Sequence, residues 1–141
     1  MKHFIDINSF KKKEIDEIIS LAKKIKKNPK KYSSSCKDKT LGLIFEKQSL
    51  RTRLSFNVGM QKLGGSVLEL QSKDIGFDNK REKAEDVLNV LSQYIDCLMI
   101  RNNNHKQIVN LSKENILPII NGLTEHSHPC QILGDFLTLQ E

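Results

Sequence analysis

The sequence lacks several features that mark membrane and secreted proteins. No run of apolar residues approaches the roughly 18 that a membrane span requires, and the lysine-rich start has no apolar stretch typical of a signal peptide. The three cysteines, Cys36, Cys97 and Cys130, are an odd number at unrelated spacings, which favours reduced thiols over a disulfide framework. We therefore predict a cytoplasmic protein with no membrane partner.

Aromatic residues make up only 6% of the chain, and its excess positive charge is confined to one part. Residues 1–39 contain twelve lysines and five acidic residues, whereas the remainder has seven lysines and four arginines against twelve acidic residues. A surface that binds nucleic acid usually combines a basic patch with aromatic side chains that stack on bases. The lysines of residues 1–39 therefore indicate a solvated surface, and we expect no nucleic-acid partner.

The order of apolar segments predicts an α/β fold. Residues 9–27 have apolar side chains at helical spacing, with Ser9 as the helix cap. Helical patterns also separate the later apolar runs, and Pro129 stands in the first turn of a closing helix. Four short apolar runs are continuous rather than alternating, as in strands buried on both faces: 41–45, 67–70, 97–100 and 116–120. The sequence thus predicts a three-layer αβα domain with a four-stranded parallel sheet.

Residues 52–63 fit two different structures. Their apolar residues alternate as in a β-strand, and Gly64-Gly65 would then turn a hairpin. A helix instead places Phe56, Met60 and Leu63 on one face and ends at the first of these glycines. Periodicity favours the hairpin slightly, but a parallel sheet requires a crossover at this point. We therefore predict the helix.

Two of the chain's four arginines, Arg51 and Arg53, stand at the turn between the first predicted strand and this helix. The free N–H groups of a helix start attract an anion, and arginine offers a phosphate two parallel N–H donors. The hydroxyls of Ser49 and Thr52 add neutral donors. The turn therefore contains residue types that suit a phosphate site. Because the pattern is short, composition alone still favours a surface turn capped by threonine.

Polar residues also follow the third and fourth apolar runs. Arg101 ends the third run, and Asn121-Gly122 leads from the fourth towards His128 and Gln131 at the start of the last helix. Ligands of open α/β sheets bind outside the carboxyl ends of the strands. Each residue also has a structural alternative. Arg101 would form a surface ion pair, His128 would cap the helix, and Gln131 would be a solvated side chain. Before any resemblance is considered, a shared site and these separate roles are about equally supported.

Three segments, "FEKQSLRTRLSFNVGMQKLGG", "MIRNNNH" and "INGLTEHSHPCQILGDFLTLQE", resemble the ornithine branch of the aspartate/ornithine carbamoyltransferase family. The signature Ser-Thr-Arg-Thr-Arg stands here as residues 49–53, with Leu50 in place of threonine, and the His-Pro-x-Gln motif as residues 128–131. The resemblance implies that residues 1–141 form the carbamoyl-phosphate-binding domain. It also implies that the second, amino-acid-binding domain is absent from this chain, so that the chain alone is inactive.

The resemblance implies transfer of a carbamoyl group from carbamoyl phosphate to the side-chain amine of L-ornithine, giving L-citrulline and phosphate. No metal or cofactor is expected. In the family, Arg101 and His128 would act on the carbonyl oxygen as catalytic residues, and Gln131 would hold the carbamoyl amino group. Arg53 would support the turn from behind. Carbamoyl phosphate would be bound by Ser49, Leu50, Arg51, Thr52, Lys80, Arg101, His128 and Gln131.

The family is also expected to form a homotrimer in which a loop of the neighbouring subunit completes the site. Its counterpart lies within residues 74–83, with Lys80 as the phosphate contact, although "FDNKREK" departs from the usual loop. Alternative functions are aspartate carbamoyltransferase, a transferase for putrescine or acetylated ornithine, and a non-catalytic phosphate- or nucleic-acid-binding module. A metal site of His126, His128 and Cys130 fits no common zinc spacing.

Overall fold

The computed structural model describes residues 1–71, 73 and 82–141, so the predicted contact of Lys80 lies outside the described residues. Within this part of the chain, no helix is both long and apolar enough to cross a lipid bilayer. Helices and strands alternate after the first helix, in the order α1 (Lys12–Lys27), β1 (Thr40–Phe45), α2 (Leu50–Lys62), β2 (Ser66–Gln71), α3 (Ala84–Leu91), β3 (Cys97–Arg101), α4 (His105–Lys113), β4 (Ile119–Leu123) and α5 (Pro129–Leu139).

The four strands form one parallel sheet in the order β2-β1-β3-β4, which confirms the predicted fold class. The central strands β1 and β3 are buried on both faces, as their continuous apolar runs predict. Strand β2 differs, because it lies at the edge and leaves most of its residues exposed, including Leu68. The register pairs Phe45 with Arg101 and Arg101 with Leu123, so three strand ends lie side by side.

Alternate residues of the central strands enter two separate cores, one on each face of the sheet. Leu43 and Met99 pack with Phe56 and Met60 of α2 on one face. Ile44 and its neighbours pack on the other face against α3 and α4, whose buried residues are Val87, Leu88, Leu91, Ile108 and Leu111. Because side chains alternate along a strand, helices are required on both faces, and the three-layer arrangement follows.

Residues 50–62 are helical, which confirms the helix over the hairpin. Gly64 has a φ of 83° and stops α2, as expected of a glycine just beyond a helix end. At the start of the chain the predicted cap is wrong. Ser9 ends a 3₁₀ turn (Ile7–Ser9), and α1 begins at Lys12, where the Glu14 carboxylate accepts the Lys11 backbone N–H at 2.8 Å.

Strand β4 begins three residues later than predicted and therefore includes Asn121 and Gly122. Asn115 has a positive φ of 54°, and Pro118, which has no N–H to donate, stands directly before the strand. Gly122 packs against Met99, where a Cβ would overlap the sulfur atom. The polar segment that leads to α5 therefore starts inside the sheet rather than after it.

Candidate anion-binding site

The turn between β1 and α2 presents the start of a helix at the carboxyl edge of the sheet. Ser49 is the N-cap residue with extended backbone angles, φ −154° and ψ 98°, and its hydroxyl caps no N–H group of the described helix. The first turn of α2 contains no acidic side chain. The N–H groups of Leu50 and Arg51 thus lie at a helix start where the helix dipole favours an anion.

Arg101 joins the end of β3 to the start of α2. Its Nη1 donates a hydrogen bond to Thr52 Oγ1 at 3.0 Å, across 49 residues of sequence. Its Nε is buried and has no hydrogen-bond partner among the described residues. The threonine hydroxyl accepts from the guanidinium and keeps its own O–H free to donate to a ligand.

His128 is the N-cap residue of α5, which starts at the buried Pro129, and Gln131 lies in the first turn of this helix. Burial, and then the positive charge of Arg101, lower the pKa of His128 below its usual value, against the attraction of Asp135. The imidazole is therefore neutral near pH 7 and carries one N–H donor. Its buried Nδ1 has no hydrogen-bond partner in the described part of the chain.

The orientation of the Gln131 side chain is set by one contact. Its Nε2 donates to Asp135 Oδ1 at 2.7 Å, one helical turn further along α5. An ionised carboxylate only accepts hydrogen bonds, so the amide nitrogen must be the atom that faces it. The amide oxygen of Gln131 remains available to accept from a ligand N–H.

One cavity of about 250 Å³ lies between the start of α2 and the start of α5. It brings together four of the predicted residues, and Arg101 adjoins them through Thr52. The spacing of the helix-borne members, 51, 52, 55 and 56 on α2 and 130, 131 and 134 on α5, matches one helical face each. The lining residues are Arg51, Thr52, Ser55, Phe56, His128, Cys130, Gln131 and Gly134.

Arg53 faces away from this cavity. Its guanidinium makes an ion pair with Glu69 at 3.0 Å and lies over the ring of Phe45, 4.8 Å from the centroid. It lines a second cavity of about 420 Å³ on the β1–β2 side. The two signature arginines, Arg51 and Arg53, therefore point to different cavities because they stand on different faces of α2. Ser49 and the 72%-exposed Leu50 stand at the helix start and do not line the smaller cavity.

Four lining residues and two supporting residues were not predicted from the sequence as parts of the site. Ser55, Phe56 and Gly134 lie one helical turn from signature residues, so helical spacing is the signal that could have found them, and Cys130 is the variable position of the His-Pro-x-Gln motif. Asn121 lies in β4, and Thr124 follows directly after the strand. Their type gave no such signal, because surface loops are commonly rich in these residues.

The buried Asn121 fixes the path of the chain towards His128. Its Nδ2 donates to the Ile5 carbonyl at 2.9 Å and to the Ser127 carbonyl at 3.1 Å, and its Oδ1 accepts from the Leu123 N–H at 3.0 Å. Thr124 Oγ1 accepts from the Ser127 N–H at 3.2 Å. A fully bonded buried amide of this kind rigidifies a loop, and the loop in turn holds the start of α5 in place.

Comparison with known proteins agrees with this geometry. Residues 2–141 match the family described as "Aspartate/ornithine carbamoyltransferase, carbamoyl-P binding domain". The chain is 43% identical to the ornithine carbamoyltransferase of Campylobacter hominis over 143 residues, which cover 100% of this chain and 46% of that protein. The chain spans about half the length of the curated relatives that it matches.

Solved structures give the same result. The anabolic ornithine carbamoyltransferase of Campylobacter jejuni superposes with a TM-score of 0.89 at 37% identity, covering 99% of this chain and 45% of that one. An N-acetyl-L-ornithine transcarbamylase complexed with carbamyl phosphate and N-succinyl-L-norvaline superposes with a TM-score of 0.86 at 30% identity, covering 99% and 48%. The chain therefore belongs to the aspartate/ornithine carbamoyltransferase family and corresponds to its carbamoyl-phosphate-binding domain.

Proposed function

We propose that this chain binds carbamoyl phosphate in the 250 Å³ cavity and at the adjoining start of α2, and serves as half of an ornithine carbamoyltransferase. The complete enzyme transfers the carbamoyl group to the side-chain amine of L-ornithine and releases L-citrulline and phosphate. One observation carries the proposal: Arg51, Thr52, His128 and Gln131 line a single cavity, with Arg101 hydrogen-bonded to Thr52. The names of the relatives support ornithine as the acceptor.

The phosphate end of the substrate binds at the start of α2. Ser49 and Thr52 donate hydroxyl protons, the N–H of Leu50 points from the helix start, and Arg51 adds a positive charge with two parallel donors. Thr52 can donate to the phosphate because its acceptor side is already occupied by Arg101. Leu50 supplies no hydroxyl, so the site has one donor fewer than the threonine of the family signature would give.

The carbonyl oxygen of the substrate lies between Arg101 and His128. When the ornithine amine attacks the carbamoyl carbon, a C–N bond forms and negative charge builds on this oxygen. The C–O bond to phosphate then breaks, and phosphate leaves with the electron pair and accepts the proton that the amine nitrogen releases. Preorganised donors at the oxygen stabilise this charge more than they stabilise the ground state. The buried, unpartnered Arg101 Nε and His128 Nδ1 support the proposal, since buried polar groups normally have a partner.

The carbamoyl amino group binds to Gln131. Because its amide nitrogen donates to Asp135, the amide oxygen is the atom presented to the substrate. An amino group donates to this oxygen, whereas the oxygen of a carboxylate or a phosphate would be repelled by it. The cavity therefore distinguishes the two ends of the substrate, with donors at one end and an acceptor at the other.

We further propose that the complete enzyme is a cytoplasmic homotrimer of arginine biosynthesis. Lys80 of the neighbouring subunit would then contact the phosphate. The anabolic relative from Campylobacter jejuni supports the biosynthetic direction. The 141-residue chain on its own should bind carbamoyl phosphate weakly and form no citrulline, because the acceptor-binding half of the relatives extends beyond the matched region.

Calorimetric titration of the full-length protein with carbamoyl phosphate tests the binding step, and assays with ornithine, aspartate, putrescine and acetylated ornithine test the acceptor. We expect saturable binding that Arg51→Ala weakens, and product formation with ornithine. Binding that ignores Arg51→Ala would contradict the proposed site. Product formation with another acceptor alone would contradict the ornithine assignment. Retention on DNA that collapses with added salt, without carbamoyl-phosphate binding, would favour a nucleic-acid-binding module.

A further inference from the structure

We propose that Asp6, His105 and His126 form a binding site for a divalent transition-metal ion of the zinc type. Each residue offers one ligand atom, and these atoms lie within 4.8 Å of one another. Two imidazoles with one carboxylate are a ligand set that suits Zn²⁺ and related metals, with water in the remaining position. This site is separate from the 250 Å³ cavity, hereafter the anion-binding cavity, and does not depend on the proposed carbamoyl transfer.

Three distant parts of the chain meet to form this group. Asp6 precedes the 3₁₀ turn, His105 is the first residue of α4, and His126 lies between β4 and α5. The start of the chain is anchored beside β4, since the Phe4 N–H donates to the Ile119 carbonyl at 2.8 Å. The positions of these ligands are therefore set by the sheet and not by a flexible terminus.

The distances allow closure around an ion with small movements. His126 Nε2 lies 4.0 Å from Asp6 Oδ2, and the rings of His105 and His126 are 4.7 Å apart between centroids. Ligands of a tetrahedral zinc ion, with bonds of 2.0–2.1 Å, lie about 3.3 Å from one another. The His126 side chain is 67% exposed and can rotate inward, whereas that of Asp6 is only 18% exposed.

Outer hydrogen bonds orient two of the ligands. His105 Nδ1 lies 2.9 Å from Thr124 Oγ1, and a proton donated there leaves Nε2 with a lone pair for a metal. Metal-binding histidines typically have such a partner on the second ring nitrogen. Asp6 Oδ1 accepts the Asn8 N–H at 2.9 Å, which leaves the other carboxylate oxygen facing His126.

The local charge favours a cation. The Glu125 carboxylate lies beside the group, where it accepts the His105 backbone N–H at 3.0 and 3.1 Å. The carboxylates of Asp6 and Glu125 thus lie beside two imidazoles.

The structure also explains why the spacing argument missed this group. The trio considered from the sequence, His126, His128 and Cys130, lies on one short segment, but its members face different surroundings. His128 and Cys130 line the anion-binding cavity, and burial raises the pKa of the Cys130 thiol to about 11. His126 instead faces Asp6, 120 residues away in sequence.

Zinc binding to the full-length protein tests the proposal, measured by competition with a series of chromophoric chelators. Three variants are compared with the wild type: Asp6→Asn, His126→Gln and, as a matched control, His3→Gln. The asparagine keeps an acceptor for Asn8, and His126 is exposed, so both variants are expected to fold. Circular dichroism and thermal unfolding check this.

We expect the wild type and the His3→Gln control to bind one Zn²⁺ per chain. In Asp6→Asn and His126→Gln this ion should be lost, or its affinity should fall about 100-fold. The proposal is overturned if the wild type yields all its Zn²⁺ to the weakest chelator. It is equally overturned if Asp6→Asn and His126→Gln bind as much Zn²⁺, as tightly, as the wild type. Carbamoyl-phosphate binding measured on the same samples reports separately on the anion-binding cavity.

Discussion

The anion-binding cavity and the Asp6–His105–His126 group lie at the same edge of the sheet and have opposite chemistry. The first combines Arg51 and Arg101 with a helix start, whereas the second combines a carboxylate with two imidazoles. Both use residues that follow the carboxyl ends of β3 and β4. Under the two proposals, sheet topology places both sites at one edge, while the side chains at each strand end determine the sign of the ligand's charge.

A single connection contributes to both sites. Between β4 and α5, His126 faces Asp6, and His128, two residues later, faces the cavity beside Arg101. Asn121 and Thr124 hold this connection through hydrogen bonds to its own backbone, so each histidine is held on its own side. The difference between the two regions can therefore be tested one residue at a time.

The largest effect is expected from removing Arg101, the residue that we propose to act on the carbonyl oxygen. Arg101→Ala in the full-length enzyme should lower kcat by about 10²–10³, since one donor at a developing oxyanion contributes about this much. Citrulline formation at saturating substrates measures the change. Lys106→Ala, an exposed residue of α4, is the charge-matched control and should retain normal turnover. Near-normal turnover of Arg101→Ala would remove this residue from its assigned role.

The two signature arginines sharpen the comparison, because only one of them faces the cavity. Arg51→Lys should weaken carbamoyl-phosphate binding about tenfold, since lysine cannot offer two parallel donors. Arg53→Lys should leave this affinity unchanged and lower stability by about 1 kcal/mol or less, because its pair with Glu69 is 40% and 42% exposed. Calorimetry and urea unfolding measure the two quantities. Equal losses of affinity in both variants would refute the assigned directions.

Asp135 accepts a hydrogen bond from Gln131 and so orients the side-chain amide of this residue. Asp135→Asn should allow the Gln131 amide to turn over, which loses about two- to tenfold in carbamoyl-phosphate affinity, the net effect of one hydrogen bond. The affinity for inorganic phosphate, which has no amino group, should not change. A parallel loss for both ligands would show that Asp135 acts through structure or charge instead.

Much of the fold follows from the sequence because its strongest signals are local. The continuous apolar runs of β1 and β3 predict burial on both faces, and the need for a crossover predicts α2 where periodicity alone favours a hairpin. The signature residues locate the cavity once the strand ends are known. The hydrogen bond of Gln131 with Asp135, at i+4, also agrees with helical spacing.

The remaining features depend on contacts between distant residues. The exposure of β2 follows from its place at the sheet edge, which its composition does not reveal. The late start of β4 depends on Asn115 and Pro118, which interrupt an apolar run that otherwise resembles a strand. The meeting of Asp6 with His126 depends on the whole topology, so no spacing rule could have found it.

The smallest expected effect is the contribution of His128 to the pH dependence of folding stability, compared with the contribution of carboxylates elsewhere in the protein. Because the pKa of His128 is lowered, the unfolded chain binds its proton more tightly than the folded one, and stability should fall as the pH drops from neutral through 6.5, the usual histidine value. The carboxylates with lowered pKa, such as Asp6 and Asp96, contribute stability that is lost only at more acidic pH, below their usual value of 3.8. Urea unfolding of the wild type should therefore show a steeper loss in this window than His128→Gln. Parallel curves for the two proteins would show that Arg101 and burial do not act on His128 as the geometry requires.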